Sequence, residues 1–451
     1  MNKTILLISA NIYDVPYPVY PLGISYIATY LNNAAPEYKV KLFDFITSQP
    51  EALVKCLKED KPVLTGISLR NVDNVDSTAS KSFIDGYKEI IRLVRDNSKS
   101  PIVTGGSAFS IFPRLMFDTL KPDFGIHGEG EESLRKLLLH LEENTNYENI
   151  EGLVYVKDGK TIVNPRKNSL SDLNLEFDSS LVDFYWQNSG MLNVQTKRGC
   201  PFNCIYCTYP IIDGRTVRTL NPEKIVQTLK ILYETKGIDY VFFTDSVFNI
   251  ATSFNEELAS RLIKSGIKIK WGAYFSLHNL TADMLSLYKE SGLTHIEFGT
   301  ESLSEIQLRN YGKHFSVGDI FEKSEICNKI GVDFAHFLIL GGYGETDDTI
   351  EETFSNSAKI KRTVFFPFIG MRIYPGTKLQ EYAIRDGYIT ADDNLLEPKY
   401  YISKNFDASL IKDKAAETGK RWVFPDEDLS AIMHKMRLKN KKGPLWEYML
   451  K

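Results

Sequence analysis

Residues 193–207 read Asn-Val-Gln-Thr-Lys-Arg-Gly-Cys-Pro-Phe-Asn-Cys-Ile-Tyr-Cys, a strand pattern running directly into three cysteines spaced C-x3-C-x2-C. Thiolates are the expected ligands of iron–sulfur clusters. One loop carrying Cys200, Cys204 and Cys207 caps three corners of a cubane and leaves the fourth iron without a protein ligand. Two plainer readings compete. A structural zinc site wants a fourth Cys or His, and the histidines on either side, among them His127, His140 and His278, are far away along the chain. A disulfide with one spare thiol belongs to an oxidising compartment.

Downstream of this loop, strand patterns recur at Tyr240–Thr244, Lys268–Tyr274, His295–Gly299, Phe334–Leu340 and Phe366–Ile373, with Asn193–Thr196 as the first. Helical patterns such as Pro222–Thr235, Asn255–Lys264, Ala282–Glu290 and Val317–Ile330 fill the gaps. Six β/α units in succession predict a partial (β/α)6 barrel of the TIM type, whose chemistry sits at the C-terminal mouths of the strands. Upstream, β-rich runs at Ile5–Ser9, Val40–Phe45, Val63–Leu69, Ile102–Thr104 and Phe124–His127 alternate with amphipathic stretches. That alternation predicts a doubly wound, parallel, flavodoxin-like α/β domain. Ligands of such sheets sit at the carboxyl ends of the strands. Those ends carry Asn11, then Ser68 and Arg70, then Gly105-Gly106-Ser107, then Gly128-Glu129. Residues 151–190 read as a connector holding a hairpin (Leu153–Val156 and Thr161–Val163) and a polar loop, Asn168–Ser180. The expected division is 1–150, 151–190, 191–385 and a C-terminal extension, 386–451.

At 451 residues, 43% apolar and 25% charged, the chain has the composition of a globular protein long enough for several cores. A net charge of −4 supplies no general attraction to nucleic acid. No apolar run is long enough to span a membrane, and the start of the chain does not read as a signal peptide. Five cysteines, three of them crowded together, do not form a secreted disulfide framework, so a reducing cytoplasm is the expected location. Cys56 and Cys327 lie in amphipathic patterns and read as buried core thiols.

The cysteine loop, with aromatic Tyr206 before its last cysteine, resembles the radical S-adenosylmethionine superfamily. The resemblance implies that S-adenosylmethionine chelates the open iron of a [4Fe–4S] cluster and is cleaved to a 5′-deoxyadenosyl radical. It implies nucleotide-binding roles for Tyr206, for Asp245 after the second barrel strand, for Glu301 at the ribose, and for Gly341 and Gly342 near the adenine. Ahead of the barrel, Pro21-Leu22-Gly23, Val103-Thr104-Gly105-Gly106-Ser107 and Gly128-Glu129-Gly130-Glu131 resemble the cobalamin-binding domain of the cobalamin-dependent class. Cobalamin contacts are therefore expected from Asn11, Ser68, Arg70, Gly105, Gly106, Ser107, Gly128 and Glu129, the two adjacent glycines clearing room for the macrocycle. The Asp-x-His-x-x-Gly motif that ligates cobalt in many relatives is absent from this chain, so a cobalamin without a histidine lower ligand is expected, with Arg70 beneath it.

His336, Arg372 and Tyr374 stand as substrate-side candidates, and no residue is assigned a catalytic role. The implied activity is methylation of an unactivated carbon of a small-molecule or lipid-like substrate, with an electron donor such as flavodoxin or ferredoxin. Radical cyclisation, oxidation or rearrangement without methyl transfer is the alternative, as is a non-catalytic cobalamin or iron–sulfur sensor. No DNA partner is expected. RNA is disfavoured because no terminal RNA-binding module is evident.

Overall fold

The computed structural model describes residues 3–166, 173–404 and 406–450. Of the Asn168–Ser180 loop expected from its polarity, residues 168–172 lie outside the described residues, and a helix begins at Ser179. The chain forms two compact units. The first comprises Met1–Asn74, Lys81–Phe184 and Thr208–Gly214, and the second Val75–Ser80, Tyr185–Cys207 and Arg215–Lys451.

The first unit is built on strands β1 (Lys3–Ser9), β2 (Tyr38–Asp44), β3 (Leu64–Ser68), β4 (Ile102–Gly105) and β5 (Phe124–Ile126), followed by the hairpin β6 (Leu153–Lys157) and β7 (Lys160–Val163). Their order is β2-β1-β3-β4-β5-β6-β7. The first five strands are parallel and the hairpin pairs antiparallel with β5, so this segment extends the first sheet rather than only leading away from it. β1 is buried from Thr4 to Ser9, as a central parallel strand covered on both faces must be. Helices Leu22–Ala34 and Glu131–Glu143 cover one face, where Ile24, Ala28, Leu31, Leu134 and Leu137 meet Ile5 and Leu7. Each such buried leucine or isoleucine side chain contributes about 1.5–3 kcal/mol of transfer free energy. The strand order reverses between β1 and β3, which makes the carboxyl ends of these two strands the crevice of the domain.

In the second unit, β8 (Leu192–Val194) leads into a small antiparallel ribbon, β9 (Lys197–Arg198) with β10 (Arg218–Thr219), that brackets the cysteine loop. β11 (Tyr240–Phe243), β12 (Lys270–Phe275), β13 (Leu293–Glu301), β14 (Asp333–Leu340) and β15 (Val364–Ile369) continue the parallel barrel sheet. The expected last strand breaks at Gly370, where φ is +70°, and Met371–Arg372 (β16) turns away to pair with Tyr400–Tyr401 (β17). A seventh parallel strand, β18 (Arg421–Trp422), adds to β15 from the C-terminal extension. Two residues are too few to give a periodic signal, so the sequence pattern counts six. Trp422 stacks on Phe365 with ring centroids 4.6 Å apart. The same extension inserts Trp446 among Ala335, Val364 and Val423, and its indole donates to Glu297 Oε1 at 3.0 Å. The extension is thus part of the core of the barrel unit. Among the described residues no helix is long and apolar enough to cross a membrane.

Candidate active site

The cysteine loop is held at both ends by buried polar contacts. Asp245, directly after β11, accepts from the backbone amides of Thr196 (2.7 Å) and Lys197 (3.0 Å). It also accepts from Thr196 Oγ1 (2.5 Å) and Lys197 Nζ (2.7 Å). Neither Lys197 nor Asp245 has any solvent exposure. Asp245 therefore does not face a ligand; the expectation that it binds the nucleotide is corrected to a positioning role, since both carboxylate oxygens are consumed by the approach to the loop. Gly199 follows at φ +94°, and a Cβ there would lie 2.1 Å from Thr216 O, so only glycine permits the turn into Cys200. At the far end Ile205 donates to Tyr311 O (3.2 Å) and Leu379 to Ile205 O (2.9 Å).

Cys200 is buried and Cys204 and Cys207 are half-buried. Burial pushes the Cys200 thiol pKa up, opposed by a backbone hydrogen bond from Phe202 and by the positive charge of Lys313. Among the described residues no three His, Cys, Asp or Glu side chains converge on one metal ion. A cubane spreads its thiolates over separate irons, and three thiols on one loop fit that donor pattern.

Beside the loop, β13 ends in a bulge. The β13–β14 register shifts between Gly299 and Glu301, and Glu301 takes φ +64°, rare for a residue with a side chain. Its Oε1 accepts from Tyr206 OH (2.7 Å) and Lys313 Nζ (3.1 Å), while Lys313 also donates to Gly299 O (3.0 Å). Oε2 has no protein donor among the described residues. Burial lowers the Lys313 ammonium pKa, but Glu301 and the Cys204 and Cys207 thiolates outweigh it and the net direction is upward. Lys313 is a site residue that sequence reasoning missed. The only local signal is Gly312, at φ +74°, whose Cβ would lie 2.8 Å from Asn203 O. That contact shows how closely its loop approaches the cysteines.

Gly341 and Gly342 follow β14. Cβ atoms there would lie 2.6 Å from the Phe406 ring and 2.3 Å from Tyr311 OH, so their smallness is demanded by the fold itself. Glu345, four residues on, is buried and accepts from Thr349 Oγ1 (2.6 Å), the Gly341 amide (3.3 Å) and Tyr311 OH (3.3 Å). Burial pushes its carboxyl pKa up to about 7 against these donors. The folded state therefore holds a proton that an unfolded glutamate, at its ordinary 4.5, has released. Stability falls as pH rises from 4.5 to 7 and is flat beyond, by up to about 3 kcal/mol from this group. Glu345→Gln has nothing to titrate, so urea unfolding at pH 5 and pH 8 should show a smaller loss of stability than in the parent protein.

Two of the three substrate-side candidates, His336 and Arg372, are placed elsewhere than expected. His336 is fully buried between Phe298 and Phe365 and bonds Thr300 Oγ1 (2.7 Å) and Ser324 Oγ (3.2 Å). Its side chain points into the layer between sheet and helix Val317–Ile330, so it does not meet substrate; burial drops its pKa to about 3. Arg372 is buried too, and its guanidinium donates to the carbonyls of Ile373 (2.6 Å) and Leu395 (2.7 Å) while lying 4.8 Å from the ring centre of Tyr374. It holds the loop leading to β17, and half-buried Tyr374 is its platform. Cys327 is core, with its thiol pKa pushed up to about 12 by burial, whereas Cys56 is half-buried rather than buried.

In the first unit the expected loops do share the carboxyl edge. Asn11 is buried, its amide closing a turn onto Tyr13. Gly106 takes φ +93°; a Cβ there would lie 2.6 Å from Leu69 O and 2.9 Å from Ser68 Oγ. Gly105 would meet Ile126 O at 3.2 Å, and Gly128, at φ +84°, the Arg166 side chain at 2.9 Å. These glycines draw the strand-end loops together, a demand of the fold that stands beside the room expected for a ligand at Gly105 and Gly106. Ser107 starts a short helix, Ser107–Ile111, Arg70 is exposed and Glu129 is half-buried. Gly23, Ser68 and Gly106 adjoin, leaving a floor with no side chain longer than a hydroxyl. That floor fits a flat polar macrocycle. His127 turns its ring to Asn164 O (2.9 Å).

Residues 194–356 match the family described as the Radical SAM superfamily, and residues 8–138 match the B12 binding domain. The chain is 25% identical over 409 residues to an uncharacterised methyltransferase of Pyrococcus horikoshii, covering 87% of this chain and 86% of that protein. It is 23% identical over 350 residues to the anaerobic magnesium-protoporphyrin IX monomethyl ester cyclase of Rubrivivax gelatinosus, covering 74% of this chain and only 61% of the cyclase. Its fold is similar to that of the radical S-adenosylmethionine methyltransferase TsrM from Kitasatospora setae, solved with cobalamin and a [4Fe–4S] cluster. The TM-score is 0.86 at 18% identity, over 100% of this chain and 97% of that one.

Proposed function

We propose that this chain, which belongs to the radical S-adenosylmethionine superfamily and carries a B12-binding domain ahead of its barrel, methylates an unactivated carbon of a small-molecule or lipid-like substrate. The observation that carries the reading is the meeting of three loop thiols with the Tyr206–Glu301–Lys313 cluster in one unit. When bound, the cluster with S-adenosylmethionine supplies a 5′-deoxyadenosyl radical and cobalamin supplies a methyl group; the protein's part is position and exclusion of water.

Cys200, Cys204 and Cys207 would hold the cluster. Tyr206 and Lys313 pin one oxygen of Glu301, so that its other oxygen is presented to the ribose hydroxyls. The buried ammonium of Lys313 offsets negative charge among the thiolates. Gly23, Ser68, Gly106 and Ser107 would floor the cobalamin, with Asn11, Gly105, Gly128 and Glu129 shaping the surrounding loops. Arg70 would lie beneath the ring in place of a histidine, since the His127 ring is engaged with the backbone carbonyl of Asn164. A flavodoxin or ferredoxin would deliver the electron.

Reconstituted anaerobically with S-adenosylmethionine and a reductant, the protein should release 5′-deoxyadenosine. Incubated with hydroxocobalamin and desalted, it should keep the visible absorption of the corrinoid. A protein that desalts colourless would leave the first unit as scaffold, and one that binds iron without cleaving the nucleotide would be a sensor. The kinship with a cyclase supports the second reading, radical ring closure without methyl transfer.

A further inference from the structure

His336 is a fully buried titratable side chain that the proposed chemistry does not use, and its contacts lead to the site indirectly. Ser324 Oγ donates its one proton to Ile320 O (2.6 Å) and so must accept from His336 Nε2–H. The ring is then an acceptor at Nδ1, and Thr300 Oγ1–H donates to it at 2.7 Å. Thr300 is the extra residue of the β13 bulge: Gly299 pairs with Phe337 and Glu301 with Leu338, with Thr300 left over. A bulge re-aims the residue that follows it. Here that residue is Glu301, held at φ +64°, a conformation that persists only when its surroundings over-determine it. Tyr206 and Lys313 fix the tip of the Glu301 side chain. The contact between Thr300 and His336 fixes the backbone behind it.

We propose that His336 is a positioning residue for nucleotide binding, locking Thr300 outward so that the bulge presents the Glu301 carboxylate beside the cysteine loop. The proposal rests on the reading that Glu301 binds S-adenosylmethionine. Phe298 and Phe365 stack on both faces of the ring at 5.5 and 5.6 Å, which sets its plane and keeps Nδ1 aimed at the threonine. Ser324 sets its tautomer.

The test is equilibrium binding of S-adenosylmethionine to anaerobically reconstituted protein, alongside iron content and melting temperature. His336→Phe fills the same aromatic slot without an acceptor, and Thr300→Val keeps the shape without the hydroxyl. Each should weaken binding about tenfold at unchanged iron content, as small misplacements of a positioned group do. The double variant should be no weaker than either single one. His336→Asn, whose amide oxygen can stand in for Nδ1, and Thr300→Ser should restore most of the affinity. Affinity unchanged in His336→Phe and Thr300→Val, with only the melting temperature lowered, would overturn the proposal and leave His336 as core. Failure of both restoring variants would overturn it as well. Glu301→Gln separates the two claims. If it binds like the parent protein, the reading of Glu301 falls and the role of His336 with it. If it is weakened while Thr300→Val and His336→Phe are not, only the proposal falls.

Discussion

Cys204→Ala should bind almost no cluster and release no 5′-deoxyadenosine, while keeping its fold. Loss of one of three thiolates leaves two corners of a cubane without protein ligands, and a cluster is retained only where its thiolates hold it. The fold does not depend on this thiol. Cys204 is half-buried, whereas the loop is anchored by backbone contacts at Ile205 and by Gly199 and Asp245. Iron analysis, the visible absorption of the cluster and circular dichroism check the three parts separately. Full iron content together with nucleotide cleavage in this variant would remove the basis of the assignment.

Asp245→Ala is expected to be the most damaging substitution that touches no proposed ligand. It strands the ammonium of Lys197 in a site without solvent, between the rings of Phe248 (4.3 Å) and Phe254 (5.2 Å). Breaking one side of a buried pair costs about 3–5 kcal/mol. Two backbone amides at the start of the cysteine loop lose their acceptor as well. Burial already pulls the Lys197 pKa below 10.5, with Asp245 pulling the other way. Without the carboxylate the folded pKa falls further, so the variant should lose stability as pH is lowered and recover part of it at high pH. Replacing both partners, as Lys197→Met with Asp245→Leu, should be more stable than Asp245→Ala alone, because no charge is then left unpaired. Chemical unfolding of the three proteins decides the matter. Equal stability of Asp245→Ala and the parent would show that the pair does not anchor the loop.

The outline of both units is legible in the sequence because their strands are apolar runs separated by helical periods. The seventh barrel strand is not, since Arg421–Trp422 carries no period. The cysteine ligands are legible for a chemical reason: few other demands place three thiols so close together. Asp245 and His336 were misread for a common cause. Parallel strands and their ends are buried on every side, so alternation does not tell which polar residue faces the mouth and which faces the helices. His336 shares its face with Phe334 and Leu338, all three without solvent exposure. The glycines of the first unit are legible, and the folded chain adds a second physical reason for them. Their Cβ positions are occupied by neighbouring loops, information that exists only once the chain has folded. Lys313 was invisible because its role depends on a close approach to Asn203 and Cys204 from a segment far along the chain.

In the proposed reaction the radical and the methyl group act on one substrate carbon. The most direct measurement supplies reconstituted protein, loaded with cobalamin, with S-adenosylmethionine carrying a deuterated methyl group and a metabolite extract as the source of substrate. Mass spectrometry should then find the label on a new carbon–methyl product that accumulates together with 5′-deoxyadenosine. Formation of 5′-deoxyadenosine with a transformed but unlabelled product would contradict methylation and favour ring closure or oxidation by the same site.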